Sequence, residues 1–271
     1  LTKSAACARR VNDILVQKPS QKDGEASVPE GPVSLSFEDV SVRYSSTGDP
    51  SLEHISFAAA PGETIGIIGG TGSGKTTLVS LIPRFYDVSD GAVRLGGLDV
   101  RNYRLASLRK AIGIVPQHAV LFRGTIRSNL LWRNPEATED ELREALRIAQ
   151  GADIIDKKEL GLDEPVKQGG TNFSGGQRQR LTIARALTGR PSVLILDDSS
   201  SALDYATDAA LRRSLREMDW KPITFIVSQR TASVRYADRI LVLDDGVCIG
   251  QGTHEELLET CQVYREIHEA Q

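Results

Sequence analysis

The sequence predicts an α/β protein that has a core with a parallel sheet, an antiparallel β subdomain and an inserted helical subdomain. Short apolar segments rich in β-branched residues alternate with helical segments, which is typical of parallel strands joined by helices. Residues 33–44 instead alternate between apolar and polar side chains, which predicts an antiparallel strand. From about 125 to 165 the pattern is charged and helical with no strand signal, which indicates a helical insertion.

Composition and charge exclude several classes of function. The 271 residues are 40% hydrophobic and 25% charged, as expected of a globular protein. The formal net charge of -3 offers no general attraction for DNA, RNA or anionic lipid, so we expect no nucleic-acid partner. The three cysteines lack CxxC spacing, which argues against a disulfide framework or a zinc site and fits a reducing cytosol. The four histidines do not cluster in sequence, and no apolar run approaches the roughly 20 residues of a membrane span.

The first 31 residues differ in character from the rest. Lys3–Val16 has the spacing of a short amphipathic helix without secretory character, and Gln17–Gly31 has the Pro, Gly and Ser content of a linker. We therefore expect residues 1–31 to lie outside a domain that spans 32–271, with the helical subdomain at about 125–190. The first residue is Leu rather than Met, so we interpret the sequence as a fragment of a longer protein.

The elements of the domain follow in a regular order. Val33–Tyr44 and Leu52–Ala60 are predicted to pair as antiparallel strands. Thr64–Ile68 is a short β-branched strand that runs into a glycine-rich segment, and Thr77–Phe85 has helical spacing. The remaining predicted elements are three buried strands at Ser192–Leu196, Ile223–Val227 and Ile240–Leu243, and two helices at Gln177–Leu187 and Ala206–Met218.

The glycine-rich segment between strand and helix matches the phosphate-binding pattern GxxxxGK[ST]. This phosphate loop, to which we add the following Thr77, consists of Gly69, Gly70, Thr71, Gly72, Ser73, Gly74, Lys75 and Thr76. Glycines let backbone N–H groups wrap phosphates, the lysine reaches the β and γ oxygens, and the final threonine of the pattern ligates Mg²⁺. A glycine-rich turn with an incidental lysine is the alternative. The order of strand, loop and helix favours an ATP site that uses Mg²⁺.

Asp197 ends the apolar run Val193–Leu196. This places its carboxylate at the carboxyl end of a core strand beside the phosphate loop, where it can hold a water ligand of Mg²⁺. Buried strands often end in Asp at a turn, so the assignment depends on the phosphate loop upstream.

A second element suited to phosphate precedes a helix, and its residues are Ser174, Gly175, Gly176 and Gln177. A hydroxyl and bare backbone at a helix N-terminus suit a γ-phosphate, although an ordinary helix cap is the alternative. The stretch FSGGQRQRLTIARAL resembles the ATP-binding-cassette family, whose signature is LSGGQ, and the resemblance runs from about Val33 onward. In that family two cassettes dimerise head to tail, and each signature closes over the ATP held by the other's phosphate loop.

The resemblance implies roles for further residues. Tyr44 resembles the aromatic residue that stacks on adenine, with a tyrosine at the core edge as the alternative. Gln117 resembles the Q-loop residue that touches Mg²⁺ and couples to the membrane domain, and Ser201–Asp204 resembles the D-loop at the dimer interface. Leu121–Leu130 resembles the exporter segment that faces the transmembrane coupling helices. Residues 1–31 resemble the exit from an exporter's last transmembrane helix, which implies a transmembrane domain and a place at the cytoplasmic face of the cell membrane.

Two catalytic positions depart from the family pattern. Asp198 stands where a competent cassette has the Glu that activates the attacking water. Its carboxylate reaches about 1.5 Å less far, and misplacement by about 1 Å can cost on the order of 10²-fold in rate. Gln229 stands where the family has its switch His, and an amide cannot become a cation. Lys167–Gly170 also lacks the Glu that many exporters carry before the signature.

The paired departures resemble the degenerate half of heterodimeric exporters, in which one composite site binds ATP and barely hydrolyses it. We predict that this chain's own site is slow, and that its signature serves the competent site of a second, non-identical nucleotide-binding domain. A competent homodimeric exporter domain and a regulatory ATP-binding module without turnover remain as alternatives. Phe122–Leu130 and the linker argue against a soluble cassette ATPase of DNA repair or translation.

Overall fold

The computed structural model of the chain describes residues 2–16, 21–44, 48–198 and 202–271. The strands are β1 (Leu35–Val42), β2 (Leu52–Ala59), β3 (Thr64–Ile68), β4 (Asp90–Leu95), β5 (Leu98–Asp99), β6 (Ile112–Val115), β7 (Gly124–Thr125), β8 (Pro165–Val166), β9 (Val193–Asp197), β10 (Ile223–Ser228), β11 (Arg239–Asp244) and β12 (Val247–Gly252). The α-helices are α1 (Thr2–Leu15), α2 (Lys75–Ser80), α3 (Leu105–Lys110), α4 (Ile126–Leu130), α5 (Glu139–Ile148), α6 (Ala152–Asp156), α7 (Gly175–Leu187), α8 (Tyr205–Arg216), α9 (Thr231–Val234), α10 (His254–Thr260) and α11 (Gln262–Glu269). Among the residues described, no helix combines the length and the apolarity that crossing a membrane requires.

A six-stranded sheet in the order β12–β11–β3–β10–β9–β6 forms the centre of the fold. The neighbours from β11 to β6 pair in parallel, and β12 pairs antiparallel at one edge. Ile65–Ile68 of β3 is buried throughout, as expected of a parallel strand covered on both faces. In the strand register, Ser228 lies opposite Ile68, and Asp197 lies opposite Val227. The segments that leave β3, β9 and β10 therefore emerge side by side.

A second, antiparallel sheet in the order β2–β1–β4–β5 packs on the central one. Phe37 of β1 stacks on Phe57 of β2 with ring centroids 4.6 Å apart, and Phe57 meets Phe225 of β10 edge to face at 6.3 Å. Leu78 of α2 is buried in the same apolar cluster. Burial of such side chains stabilises the fold by roughly 1.5–3 kcal/mol each, so this cluster anchors the helix that follows the phosphate loop.

The chain leaves the central sheet after β6 and returns at β9, and a helical subdomain with its own apolar core lies between them. Its longest helices are α5 and α7. α5 begins with a capping box at Thr138 and buries Leu142, Ala145 and Leu146 on one face. β7 pairs with β8 at the borders of the region for which the sequence shows no strand signal. A pairing of two residues is too short to leave a periodic pattern in the sequence.

The predicted helix Thr77–Phe85 extends too far at its C-terminal end. The observed helix α2 begins at Lys75 and ends at Ser80, and turns follow it. Pro83 explains the early end, because it has no N–H for a helical hydrogen bond and disfavours the helical conformation of the residue before it. The other predicted strands and helices of the domain lie within two residues of the observed ones.

Residues 21–31, which the sequence predicts as the end of a linker, lie against the domain surface. Asp23 accepts a hydrogen bond from the backbone N–H of Leu105 at 2.7 Å, which caps the start of α3. The backbone N–H of Val28 donates to the hydroxyl of Ser107 at 3.0 Å. The residues of α1 are exposed from Ala5 onward.

Candidate nucleotide-binding site

The phosphate loop is locked between strand β3 and helix α2. Gly74 has φ of 98°, a left-handed conformation that glycine adopts without strain. A side chain at Gly69 would place its Cβ 2.1 Å from the carbonyl oxygen of Leu243 on β11. A Cβ at Gly74 would lie 2.9 Å from the carbonyl oxygen of Ser51. Glycine is therefore required at both ends of the loop for it to sit against its neighbours.

Lys75 lies beneath this loop and is buried, with 8% of its surface exposed. Its Nζ donates hydrogen bonds to the carbonyl oxygens of Gly69 at 2.9 Å and Gly70 at 2.6 Å. Burial lowers the pKa of Lys75, and the negative charges of Asp197 and Asp198 oppose that shift. The ammonium is thus held by the loop itself and lies near two carboxylates.

Two cavities flank the loop. One has a volume of about 330 Å³ and is lined by Gly72, Gly74, Thr76, Thr77, Asp245 and Gly246, among others. The other has a volume of about 180 Å³, and its lining includes Thr71, Thr76, Gln117, Asp197, Asp198 and Gln229. Five elements that are far apart in the sequence therefore meet at the phosphate loop, including every position predicted to take part in catalysis.

The second cavity offers oxygen atoms that fit a magnesium ion. Thr76, Asp197 and Gln117 can supply hydroxyl, carboxylate and amide oxygens, which are the hard ligands that Mg²⁺ prefers. Burial raises the pKa of Asp197, and Asp198 adds to that shift, whereas Lys75 and a hydrogen bond with Thr76 oppose it. A divalent cation would relieve the repulsion between the two carboxylates, so the donor set and its electrostatics suit the ion.

Asp198 occupies an unusual backbone conformation, with φ of 45°. Its N–H donates to the carbonyl oxygen of Val227 at 2.8 Å, which ties it to β10. The hydroxyl of Ser228 lies 3.5 Å from Asp198 Oδ1. Asp and Asn tolerate left-handed backbone better than longer residues do, because a short polar side chain can hydrogen-bond locally. The backbone here therefore favours the Asp that stands at this position.

Tyr44 lies beside the larger cavity. Its hydroxyl is 2.9 Å from the hydroxyl of Thr77, which lines that cavity, and its ring meets Tyr86 edge to face at 4.9 Å. With 54% of its surface exposed, Tyr44 is not a core residue. An exposed ring fixed by its hydroxyl can accept a planar base on its free face.

The signature, Ser174–Gln177, lies on a different part of the chain and lines neither cavity. Ser174 caps α7: its Oγ accepts the N–H of Gln177 at 3.2 Å, and Gln177 Oε1 accepts the N–H of Ser174 at 2.9 Å. A Cβ on Gly176 would meet only the carbonyl oxygen of Ala202, at an ordinary 3.4 Å. The signature therefore begins a capped helix and has free space around Gly176. Within one chain it does not line the cavities at the phosphate loop.

Asp204 also caps a helix. Its carboxylate accepts hydrogen bonds from the backbone N–H of Thr207 at 2.9 Å and from the Thr207 hydroxyl at 2.8 Å, at the start of α8. Both hydrogen bonds lower the pKa of Asp204. It lines neither cavity at the phosphate loop. Ser201, the first residue of the predicted D-loop, lies outside the described residues.

Comparison with known proteins identifies the family. Residues 52–201, more than half of the chain, match the family model described as ABC transporter. The chain belongs to the ABC transporter family. It is an ABC ATP-binding domain, and its fold is the one that the sequence predicts.

The relatives of this ABC domain include an export protein, a flippase and an exporter of known structure, by their names. A β-(1→2)glucan export ATP-binding/permease protein of Rhodopseudomonas palustris is 40% identical, across 95% of the chain and 43% of its own length. The ATP-dependent lipid A-core flippase of Vibrio vulnificus is 36% identical, across 98% of the chain and 46% of its own length. The structure of a bacterial Atm1-family ABC exporter with ATP bound shares 35% identity at a TM-score of 0.81, covering 89% of the chain and 44% of that structure. The chain thus spans about half the length of the relatives it matches.

The ABC domain also contains a structural support that the sequence does not reveal. The turn Asp245–Gly246 between β11 and β12 packs against the phosphate loop, where the N–H of Gly246 donates to the carbonyl oxygen of Ser73 at 3.2 Å. The carbonyl oxygen of Gly246 accepts the N–H of Glu53 at 2.9 Å. The sequence signal is a DG turn after an apolar strand, which predicts a hairpin but no contact with a site about 170 residues away in the chain.

Replacing Lys75 with Ala tests the phosphate loop. We expect the affinity for Mg-ATP to fall roughly tenfold to a hundredfold, because charge-assisted hydrogen bonds to the phosphates are lost. The fold should persist, because the apolar cluster that anchors α2 does not include Lys75. Calorimetric titration with ATP measures the effect, and Lys157→Ala, at a lysine paired with Asp153 on the helical subdomain, is the matched control. Unchanged affinity in Lys75→Ala would refute the assignment.

The backbone at Asp198 gives a second prediction. Asp198→Ala and Asp198→Gly both remove the carboxylate, but only glycine adopts φ of 45° without strain. We expect the Ala variant to be less stable than the Gly variant by about 1 kcal/mol. Chemical denaturation of the two variants measures the difference. A Gly variant that is the less stable of the two would show that this position carries no strain.

Proposed function

We propose that the chain is the ATP-hydrolysing motor domain of an ABC exporter. The observation that carries the proposal is the 180 Å³ cavity beside Lys75, where Gln117, Asp197, Asp198 and Gln229 converge on the phosphate loop. The export functions named for several relatives support the exporter assignment. In this proposal residues 32–271 form the nucleotide-binding domain, and residues 1–31 connect it to a transmembrane domain at the cytoplasmic face of a membrane.

The residues of the site divide the work of binding. Lys75 and the backbone of the phosphate loop hold the β- and γ-phosphates, and the Tyr44 ring stacks on adenine. Thr76, Asp197 and Gln117 hold Mg²⁺, which when bound neutralises the charge that builds up on the phosphates. This division of roles is supported by the cavity that Lys75, Thr76, Gln117 and Asp197 share and by the position of Tyr44 beside the other cavity.

Hydrolysis requires a water molecule in line with the γ-phosphorus. The oxygen of that water forms the new bond as the bond to the β,γ-bridging oxygen breaks, and ADP leaves. Asp198 is the carboxylate placed to orient the water and accept its proton, but it is shorter than Glu and rises from left-handed backbone. Gln229 can hydrogen-bond the γ-phosphate but adds no positive charge. Both features favour retention of ATP over rapid turnover.

The chain therefore acts as the slow half of an asymmetric pair. A second, non-identical cassette would carry the Glu and His that this chain lacks. Ser174–Gln177 lines neither cavity at its own phosphate loop and, in a head-to-tail dimer, would cover the γ-phosphate in the partner's site. A homodimer of competent domains is the alternative, and the two make opposite predictions for changes at the signature and at Asp198.

The comparison of Gly176→Asp with Asp198→Asn tests this division of roles in the assembled transporter. We expect Gly176→Asp to reduce steady-state phosphate release by about 10² to 10³, because a carboxylate there blocks backbone approach to the γ-phosphate in the partner's site. Asp198→Asn should retain most of the activity, since the fast site is not built on this residue. Asn suits the left-handed backbone, so it removes the charge without the strain that Ala adds.

The Gly176→Asp variant should fold normally, so a loss of phosphate release would not come from misfolding. A Cβ at Gly176 has ordinary contact distances, and an acidic residue in the first turn of α7 is favourable for the helix dipole. Gly176→Ala is the matched control that keeps the site neutral. If Asp198→Asn abolishes release and Gly176→Asp does not, hydrolysis takes place on this chain's own motifs and the asymmetric assignment is wrong.

A further inference from the structure

The loop that carries Gln229 is held by a helix that lines neither nucleotide cavity. Gln229 and Arg230 join β10 to α9, so neither residue belongs to a strand or a helix. Thr231 begins α9 and is 3% exposed, and Arg230 before it provides no side-chain cap. A buried N–H at the start of a helix needs a hydrogen-bond partner from elsewhere in the protein.

Gln271, just beyond α11, supplies that partner. Its Oε1 accepts the backbone N–H of Thr231 at 2.9 Å, and its Nε2 donates to the carbonyl oxygen of Gln229 at 2.6 Å. One carboxamide thus bridges both ends of the loop, much as a neighbouring strand would. These two bonds determine the orientation of the carboxamide. If it were flipped, the Gln271 NH₂ group would face the N–H of Thr231, and its oxygen would face the carbonyl oxygen of Gln229.

His268 of α11 completes the contact. The hydroxyl of Thr231 lies 3.2 Å from Gln271 Oε1 and 3.0 Å from His268 Nδ1. Because the hydroxyl has one proton and the amide oxygen can only accept, the hydroxyl donates to Gln271 and accepts from His268. His268 therefore carries a proton on Nδ1 in this arrangement.

Helix α11 is fixed firmly enough to hold the loop. Tyr264 is fully buried in an apolar cluster that includes Val234 of α9 and Leu257 of α10. The Tyr264 hydroxyl lies 2.7 Å from His254 Nδ1, which ties α11 to α10. Helices α9, α10 and α11 therefore pack as one unit, and the Gln271 contact joins that unit to the backbone of Gln229.

We infer that Gln271, supported by His268, is a positioning residue for Gln229. By fixing the carbonyl of Gln229 and the N–H of Thr231, it keeps the Gln229 side chain at the 180 Å³ cavity that also contains Asp198. The inference rests on the proposed function, in which Gln229 faces the γ-phosphate. It makes α11 part of the response to ATP without direct contact with the nucleotide.

Gln271→Ala tests the inference in this chain. The change frees both ends of the loop, so amide hydrogen exchange at Thr231 should become about tenfold faster. Affinity for ATP should fall roughly threefold to tenfold. Affinity for ADP should not change, because ADP has no γ-phosphate for Gln229 to meet. The buried Tyr264 anchor is untouched, so the thermal midpoint should stay close to that of the parent.

Two further variants separate positioning from a structural role. Gln262→Ala lies on the same helix, where the Gln262 amide donates to Glu266 at the surface, and it should change neither exchange nor affinity. Gln271→Glu keeps the acceptor for Thr231 but sets a carboxylate against the carbonyl of Gln229. It should protect Thr231 from exchange while ATP affinity stays low.

Three outcomes test the inference about Gln271 and separate it from the proposed function. Unchanged exchange at Thr231 in Gln271→Ala overturns the inference. An equal loss of ATP and ADP affinity also overturns it, because that result indicates a structural role alone. A parent chain that binds no ATP refutes the proposed function, whereas faster Thr231 exchange in Gln271→Ala without nucleotide would still support the contact.

Discussion

The buried ammonium of Lys75 is the interaction on which the rest of the site depends. It is bonded to the carbonyl oxygens of Gly69 and Gly70 and lies near the carboxylates of Asp197 and Asp198. A buried charge is costly unless it is paired and hydrogen-bonded, so the loop carbonyls and the acidic end of β9 offset the cost of burying Lys75. The parallel sheet creates that arrangement, because β3, β9 and β10 end at one edge. An anion that enters here meets a fixed positive charge with little water around it.

The same edge brings together the two positions that depart from the family pattern. Asp198 follows β9, Gln229 follows β10, and both line one cavity. The left-handed backbone at Asp198 suits a short acidic residue, so the backbone conformation is compatible with Asp rather than the longer Glu at this position. Gln229 is held through its backbone by Gln271. In the proposed function, this site would retain ATP, and the signature on the helical subdomain would close over the nucleotide of another cassette.

The sequence predicts those parts of the molecule that have a local pattern. β3 and the phosphate loop follow from a β-branched run and a spaced set of glycines, and α7 follows from its cap and its apolar spacing. The end of α2 was missed because helical spacing continues past Ser80, whereas Pro83 ends the helix. The contact between Gln271 and Gln229 joins residues 42 apart in sequence, and it involves an exposed glutamine with no motif around it. Such a contact depends on how α11 packs, which no short stretch of sequence encodes.

Steady-state phosphate release by the chain alone, at a concentration high enough for dimerisation, tests the central claim most directly. The unmodified chain is compared with the double variant Asp198→Glu, Gln229→His, which supplies the longer carboxylate and the imidazole. The account predicts turnover far below the usual enzyme median of about 10 per second for the unmodified chain, and a clear increase in the double variant. Turnover of a few per second or more by the unmodified chain would contradict the account, because its own site would then be competent.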